Sequence, residues 1–320
     1  MDTTCIPALQ LFVKELAKHV DVSIVSLHYP YNEHSYDWNG IKVRALGGKN
    51  NRLIRKFQLK SKLFRVLAQI QTQNSIDVLH SFWLTDATYF TSKFAQKNNL
   101  NHIVTTMGQD VLSTNRWLKK MAFNAFQLVT ISEIQTIELA KSGHQSKRVI
   151  PFGIIPIEQQ EKSIDIIGVG NLIPLKNYNY FVELIAEVRG EHPNLKAVLI
   201  GDGPLRGALQ TKIEQLGLSD TIELLGKQDY SRTQSYIAKA KVLVHPARYE
   251  GFGMIFIEAK AAQTHILSQQ VGFMYNQPTE FLTLDLKNDA VTLKKLLNAG
   301  LPPLDVYAVS SAVNQYLEMY

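Results

Sequence analysis

Apolar, often β-branched runs alternate along this chain with stretches of helical period, the pattern that βαβ units and parallel sheets produce. In the first half the pattern predicts a helix over 8–19, a strand over 22–27, a basic helix, a strand over 76–80, a helix over 87–98, a strand over 102–106, a helix over 117–125 and a strand over 127–131. Ser132 is placed to cap a further helix reaching about Ser142. Pro151, Gly153 and Pro156 then break the pattern and mark a linker. Beyond it, strands at 165–169, 197–200, 222–225 and 242–245 alternate with helices at 178–189, 205–216 and 231–240 and one opening near Met254. The pattern weakens past Ser268, although 307–318 again reads as a helix. The expected fold class is α/β, with two Rossmann-like domains at 1–155 and 156–304 and a C-terminal helix in 305–320 that could cross back to the first.

Composition narrows the class. A chain of 320 residues can bury two cores, and 45% hydrophobic with 19% charged residues is the balance of a folded globular protein. Cys5 is the only cysteine, so no intrachain disulfide can form and a reducing compartment is expected. The N-terminus has no basic region ahead of an apolar run, and no apolar stretch reaches spanning length. A cytoplasmic location is the expectation. The net charge of +6 favours an anionic partner. No acidic residue lies between Asp37 and Asp77, while Lys42, Arg44, Lys49, Arg52, Arg55, Lys56, Lys60, Lys62 and Arg65 do. Interleaved with Leu53, Ile54, Phe57, Leu59, Leu63, Phe64, Leu67 and Ile70, these cations suit an amphipathic helix. A solvated helix packed on its own domain accounts for this block. So does a patch resting on anionic lipid headgroups at the inner face of a membrane, or gripping an anionic acceptor. Without aromatic interleaving or a nucleic-acid motif, nucleic acid is not an expected partner.

Candidate chemistry sits in the second half. The strand ending at Val169 runs into Gly168-Val169-Gly170-Asn171 and reaches Lys176 just before a helix. Glycines that permit a tight turn, helix amides and a cation together suit a diphosphate. The second segment is Glu250-Gly251-Phe252-Gly253, followed by Glu258 two turns into the next helix. Two glycines around an aromatic residue let backbone approach a ligand, and carboxylates accept hydrogen bonds from sugar and ribose hydroxyls. No Asp-x-Asp pair or His/Cys set has ligand spacing, so no metal is expected.

In order, Gly170…Lys176, Val198-Leu199-Ile200-Gly201-Asp202-Gly203-Pro204-Leu205, Ile222-Glu223-Leu224-Leu225-Gly226 and His245-Pro246-Ala247-Arg248-Tyr249-Glu250-Gly251-Phe252-Gly253…Glu258-Ala259 resemble the donor domain of family 4 retaining glycosyltransferases of the GT-B fold. The first half resembles the acceptor domain more loosely, through 77–80, 105–111, 130–132 and 149–151. The resemblance implies two Rossmann-like domains with parallel sheets facing each other across a cleft. It implies transfer of a sugar, with retention, from a nucleotide-sugar, a UDP- or GDP-sugar, to a hydroxyl on a glycan or lipid-linked glycan, with no further cofactor. Lys176 would meet the diphosphate beside Gly170 and Asn171. Glu250, Gly251, Phe252 and Gly253 would meet the donor sugar, Glu258 the ribose, and Gly226 and Lys227 the base. Glu250 and Lys176 would carry the chemistry, and Met107, Gly108 and Asp110 would lie on the acceptor side.

The chain departs from that family at four places. Asn171 stands where many members have an arginine, and Met107 where many have a histidine. The chain opens within the family's first helix, without the usual first strand and glycine-rich loop, as a truncated protein or an incomplete gene model would. After Glu258 the usual small-residue turn and glycine pair become Ala262-Gln263-Thr264-His265 and Val271-Gly272-Phe273. A non-catalytic, glycosyltransferase-like binding protein is therefore the second reading. A nicotinamide-dependent Rossmann enzyme fits less well, because Gly168-x-Gly170 lacks the third glycine at its spacing.

Overall fold

The computed structural model describes residues 6–48 and 55–320, which divide into two compact units. The first runs to Phe152 and also takes in Val309–Tyr320; the second is Gly153–Ala308.

The first unit opens with helix α1 (Pro7–Leu16), which has proline in its first turn and buries the stripe Ala8, Phe12 and Leu16. Strands β1 (Ser23–Ser26), β2 (Glu33–Trp38) and β3 (Ile41–Leu46) form a sheet in the order β1-β3-β2, with β1 parallel and β2 antiparallel to β3. The β2–β3 hairpin was not foreseen from the sequence. It turns on Asn39-Gly40, both left-handed at φ 53° and 81°, the dipeptide that a tight hairpin turn favours. Helix α2 (Arg55–Asn74), β4 (Val78–Phe82), α3 (Asp86–Asn98), β5 (Asn101–Thr105), β6 (Gln127–Thr130), α4 (Glu133–Lys141) and β7 (Arg148–Val149) follow, and the last four strands make a parallel sheet in sequence order. Leu27 and Leu46 near the first sheet, Leu79 of the second, Leu59, Leu63 and Leu67 of α2 and Phe90 and Phe94 of α3 share one core.

The helix expected over 117–125 does not form. The segment is a series of turns closed by a short 3-10 turn at Phe123–Ala125. Asn115 competes with helix there, because its side chain accepts the Trp117 amide and donates to the carbonyls of Leu84 and Asp110. The apolar period reflects Leu118 and Met121, which pack with Leu84, Val111, Leu128 and Leu139.

The second unit alternates strictly: β8 (Ile164–Val169), α5 (Tyr178–Arg189), β9 (Ala197–Ile200), α6 (Arg206–Gln215), β10 (Ile222–Gly226), α7 (Tyr230–Lys239), β11 (Ala240–His245), α8 (Met254–Ala261), β12 (His265–Ser268) and α9 (Leu286–Leu297). All five strands are parallel, in the order β10-β9-β8-β11-β12. Helices α5, α6 and α9 cover one face and α7 and α8 the other. With both faces covered the strands read as unbroken apolar runs, which is why 197–200 and 242–245 were legible. Strand order reverses between β8 and β11, and in an open parallel sheet a ligand crevice forms at the C-terminal ends of such a pair.

Helix α10 (Val309–Leu317) returns to the first unit and packs on α1. Phe12 is fully buried among the rings of Tyr316, Phe152, His80 and Phe82 at 5.1, 5.6, 6.0 and 6.1 Å. Burial lowers the His80 pKa to about 3, so the ring is neutral and bridges the Tyr320 and Thr105 hydroxyls, each at 2.8 Å. Tyr316 closes the network on Thr105 at 2.8 Å. No described helix is long and apolar enough to cross a membrane. Replacing Phe12 with Ala opens a cavity between α1, α10 and β4 and is expected to cost about 3–5 kcal/mol, read as a lower urea midpoint; a change below about 1 kcal/mol would show that α10 holds without this contact.

Candidate active site

The loops after β8 and β11 bring the two sequence segments together. Gly170 donates to Ile200 O, and Leu172 to Asp202 O, so the β8 loop lies along the β9 loop. A 3-10 turn at Pro174–Lys176 then presents Lys176 ahead of α5. The Arg248 amide donates to Leu175 O at 2.9 Å, joining this turn to the β11 loop. Across that junction Lys176 Nζ pairs with Glu250 Oε1, both side chains being largely buried. The same oxygen takes Nε2 of His245 at 2.8 Å.

Gly253 starts α8 at φ 79°, with the Phe256 ring 2.5 Å from where a Cβ would stand, so this turn requires glycine. The Phe252 ring is buried against Phe273, and its carbonyl accepts the Phe273 amide at 2.7 Å. The sequence placed Phe252 at the donor sugar through its amide, and its side chain belongs to the core. Gly251 lies between Glu250 and Phe252 in the same loop.

The two carboxylates have opposite environments. Burial alone would raise the Glu250 carboxyl, but the His245 hydrogen bond and the Lys176 charge outweigh it and hold the group at about 2. Burial lowers the His245 pKa against the pull of Glu250. A neutral ring donating from Nε2 satisfies both, and leaves Nδ1 buried without a partner. Glu258 is 6% exposed on a helix apolar nearly all round, and burial raises it to about 7. The Tyr230 hydroxyl is close enough to moderate that rise without making a hydrogen bond of good geometry. Glu258 is thus an interior carboxyl beside the Tyr230 hydroxyl, and such perturbed groups mark functional sites.

Asn171 and Lys227 are exposed, and Gly226 is half-buried at the end of β10. Sequence reasoning missed His245, Tyr230 and Tyr178. The Tyr178 hydroxyl is buried without a partner, 2.8 Å from where a Gly170 Cβ would stand, and burial next to Glu250 pushes its pKa well up. A histidine ending a buried strand was the one available signal.

In the first unit, Asp110 is an internal staple. Its carboxylate accepts the amides of Gly108 at 2.7 Å, Leu84 at 2.9 Å and Met107 at 3.0 Å, and burial raises its pKa against those bonds. It therefore shapes the turn that presents Met107 and Gly108. The basic block is split. Lys42 and Arg44 lie on β3, with Arg44 donating to Gln69 and Gln73 of α2 at 3.4 Å. Lys60, Lys62 and Arg65 lie on α2, with Lys62 paired to Glu33. Lys49, Arg52, Leu53 and Ile54 fall outside the described residues, as does Cys5.

A parallel α/β sheet carrying glycine-rich turns, a lysine and a buried carboxyl at its switch point places the second unit in the Rossmann-like class. Two family profiles cover most of the chain: glycosyl transferases group 1 over 154–277, and glycosyl transferase 4-like over 5–141. The chain belongs to the group 1 glycosyltransferases of the GT-B fold. It is 25% identical over 280 residues to an uncharacterized glycosyltransferase of Methanocaldococcus jannaschii, covering 83% of this chain and 76% of that one. It is 23% identical over 169 residues to the gpi3 subunit of phosphatidylinositol N-acetylglucosaminyltransferase of Schizosaccharomyces pombe, covering 50% of this chain and 37% of the subunit. Among solved structures, HepE of Anabaena in complex with UDP and glucose superposes with a TM-score of 0.74 at 16% identity, covering 98% of this chain and 95% of that one. Sucrose-phosphate synthase of Thermosynechococcus elongatus gives 0.71 at 14%, covering 98% and 92%.

The Glu258 environment has a measurable consequence. A carboxyl of pKa 4.5 in the unfolded chain and about 7 in the fold takes up a proton on folding, so its contribution to stability is greatest below pH 4.5 and falls as pH rises to 7. Glu258→Gln is expected to abolish that decline, worth roughly 3 kcal/mol at full extent. Thermal unfolding should show the variant gaining on the parent from pH 5 to pH 8; a difference independent of pH would place Glu258 in contact with solvent.

Proposed function

We propose that the protein transfers a sugar, with retention of configuration, from a UDP- or GDP-sugar to a hydroxyl of a glycan or lipid-linked glycan. The observation that carries this reading is the joint placement of Lys176, Glu250 and His245 across the β8 and β11 loops. Lys176 is the cation nearest the glycine turn and would turn from Glu250 toward the donor diphosphate, where it stabilises the charge that develops on the leaving group. The α8 N-terminus adds amides without intrahelical partners. Glu250, still ionised by its His245 bond, would then accept from donor-sugar hydroxyls. Asn171 offers a hydrogen bond but no charge, which places the electrostatic demand on Lys176. Ribose hydroxyls would donate to Glu258, and Gly226 and Lys227 would border the base. No metal or further cofactor enters this scheme.

Relatives and neighbours support the substrate class: HepE of Anabaena is in complex with UDP and glucose, and the gpi3 relative is a subunit of a phosphatidylinositol N-acetylglucosaminyltransferase. Met107 and Gly108, held by Asp110, would border the acceptor. The cations shared by β3 and α2 would rest on an anionic membrane surface, which suits a cytoplasmic enzyme acting on a lipid-linked acceptor. Lys176→Ala is expected to weaken nucleotide-sugar binding by about tenfold to a hundredfold, the loss of one charge-assisted bond. Glu250→Ala should abolish transfer while the protein still unfolds cooperatively. Calorimetry with UDP, GDP, ADP and their sugars checks the first, and a radiolabelled-sugar transfer assay the second; full transfer by the Glu250 variant would remove it from the chemistry.

A further inference from the structure

Arg206 opens α6, and neither its spacing nor its neighbours in the sequence distinguish it. The structure lays its guanidinium over Gly226. A Cβ at 226 would stand 3.1 Å from Nη1, 3.8 Å from Cζ and 3.9 Å from Nη2, and φ there is +69°. Nη2 donates to Leu224 O at 3.2 Å, which fixes the planar group at the C-terminal end of β10. Arg206 is half-buried, and among the described residues no carboxylate forms an ion pair with it. A half-buried guanidinium with donors to spare needs a reason.

Its position supplies one. Gly201 N donates to Gly226 O at 2.9 Å, and Gly170 N to Ile200 O at 2.9 Å, so the ends of β8, β9 and β10 form one hydrogen-bonded edge. Gly170, at the proposed diphosphate turn, and Gly226 are two strands apart on that edge, about 10 Å. That is the reach of a ribose between phosphates and base. Glu258, the proposed ribose contact, is anchored in the same region, because Tyr230 beside it opens α7, which follows β10 directly.

We propose that Arg206 is the specificity-determining residue for the nucleobase, presenting donor-only N–H groups to a base whose edge carries ring carbonyls, uracil or guanine, and disfavouring adenine. A guanidinium has no acceptor, so the exocyclic amine that adenine offers in place of a carbonyl meets it donor to donor. Its plane is held by the Leu224 carbonyl, so little freedom is lost on binding. This inference rests on the donor-site reading above.

The test is calorimetric titration with UDP, GDP, ADP and inorganic pyrophosphate of the parent, Arg206→Gln, Arg206→Lys and Glu258→Gln, each confirmed folded by thermal unfolding. The parent is expected to bind UDP or GDP at least about tenfold tighter than ADP. Arg206→Gln and Arg206→Lys should each lose about tenfold or more for that nucleotide, the range for one fork-to-base contact, bring it level with ADP, and leave pyrophosphate unchanged. A parallel fall for pyrophosphate, full rescue by Lys, or an unchanged base preference overturns the assignment. If Glu258→Gln loses nucleotide binding while both Arg206 variants match the parent, Arg206 is excluded and the donor site stands. No nucleotide binding by the folded parent removes the donor site and this inference together.

Discussion

Glu250 is a carboxylate that its surroundings would neutralise and that two neighbours keep charged. Burial works against ionisation, and the His245 hydrogen bond and Lys176 charge reverse the outcome. The contact also joins the loops that follow two paired strands, since Lys176 follows β8 and Glu250 follows β11. Strands β8 and β11 are paired in the sheet, and the ion pair and the Arg248 to Leu175 hydrogen bond extend that contact to the loops that follow them. Removing one partner of a buried pair ordinarily leaves the other uncompensated, and here the His245 hydrogen bond lessens that cost for Glu250. A polyanion that attracts Lys176 takes it from Glu250, and His245 is what allows the carboxylate to remain ionised afterwards.

Glu258 shows the reverse logic eight residues further on. It has the burial of Glu250 without the cation or the histidine, and so takes a proton near neutrality. Two chemically identical groups on one loop and helix are thus separated by environment into a fixed anion and a titratable acid, the usual way one site acquires groups of distinct behaviour. A ligand presenting hydroxyls to Glu258 would change its protonation, whereas one meeting Glu250 would not. Of the two, only Glu258 would couple the affinity of such a ligand to pH.

The sequence made the second unit legible and the first only partly so, for a physical reason. Strands buried on both faces leave unbroken apolar runs, and glycine turns, Lys176 and Glu250 are local in sequence. The partners are not: His245 ends a strand that reads as pure core, Tyr178 reads as the apolar start of a helix, and Tyr230 meets Glu258 from another helix. The burial of the Phe252 ring was not legible for the same reason, because the Phe273 ring that covers it lies beyond α8. In the first unit the Asn39-Gly40 hairpin carried a usable signal that the basic composition around it obscured. The segment 117–125 failed differently. Its period was real, but Asn115 bound the backbone locally and turned a helical pattern into turns.

Asp110 and His80 extend the argument to the first unit, where polar groups hold backbone in place. Asp110 gathers three amides from two loops, so the Met107-Gly108 turn owes its shape to a side chain that a ligand need never touch. His80, neutral and bonded on both nitrogens, ties β4 to β5 and to the C-terminal residues following α10. Each is a buried polar group fully used by the fold, which is the condition under which such groups give a unique arrangement and add no strain. Of the second unit's unsatisfied groups, the Tyr178 hydroxyl and Nδ1 of His245 lie beside Glu250, while the Tyr230 hydroxyl and Nε2 of Gln234 lie on α7. The groups beside Glu250 stand at the switch point of the second unit, where a ligand's own polar atoms would have something to satisfy.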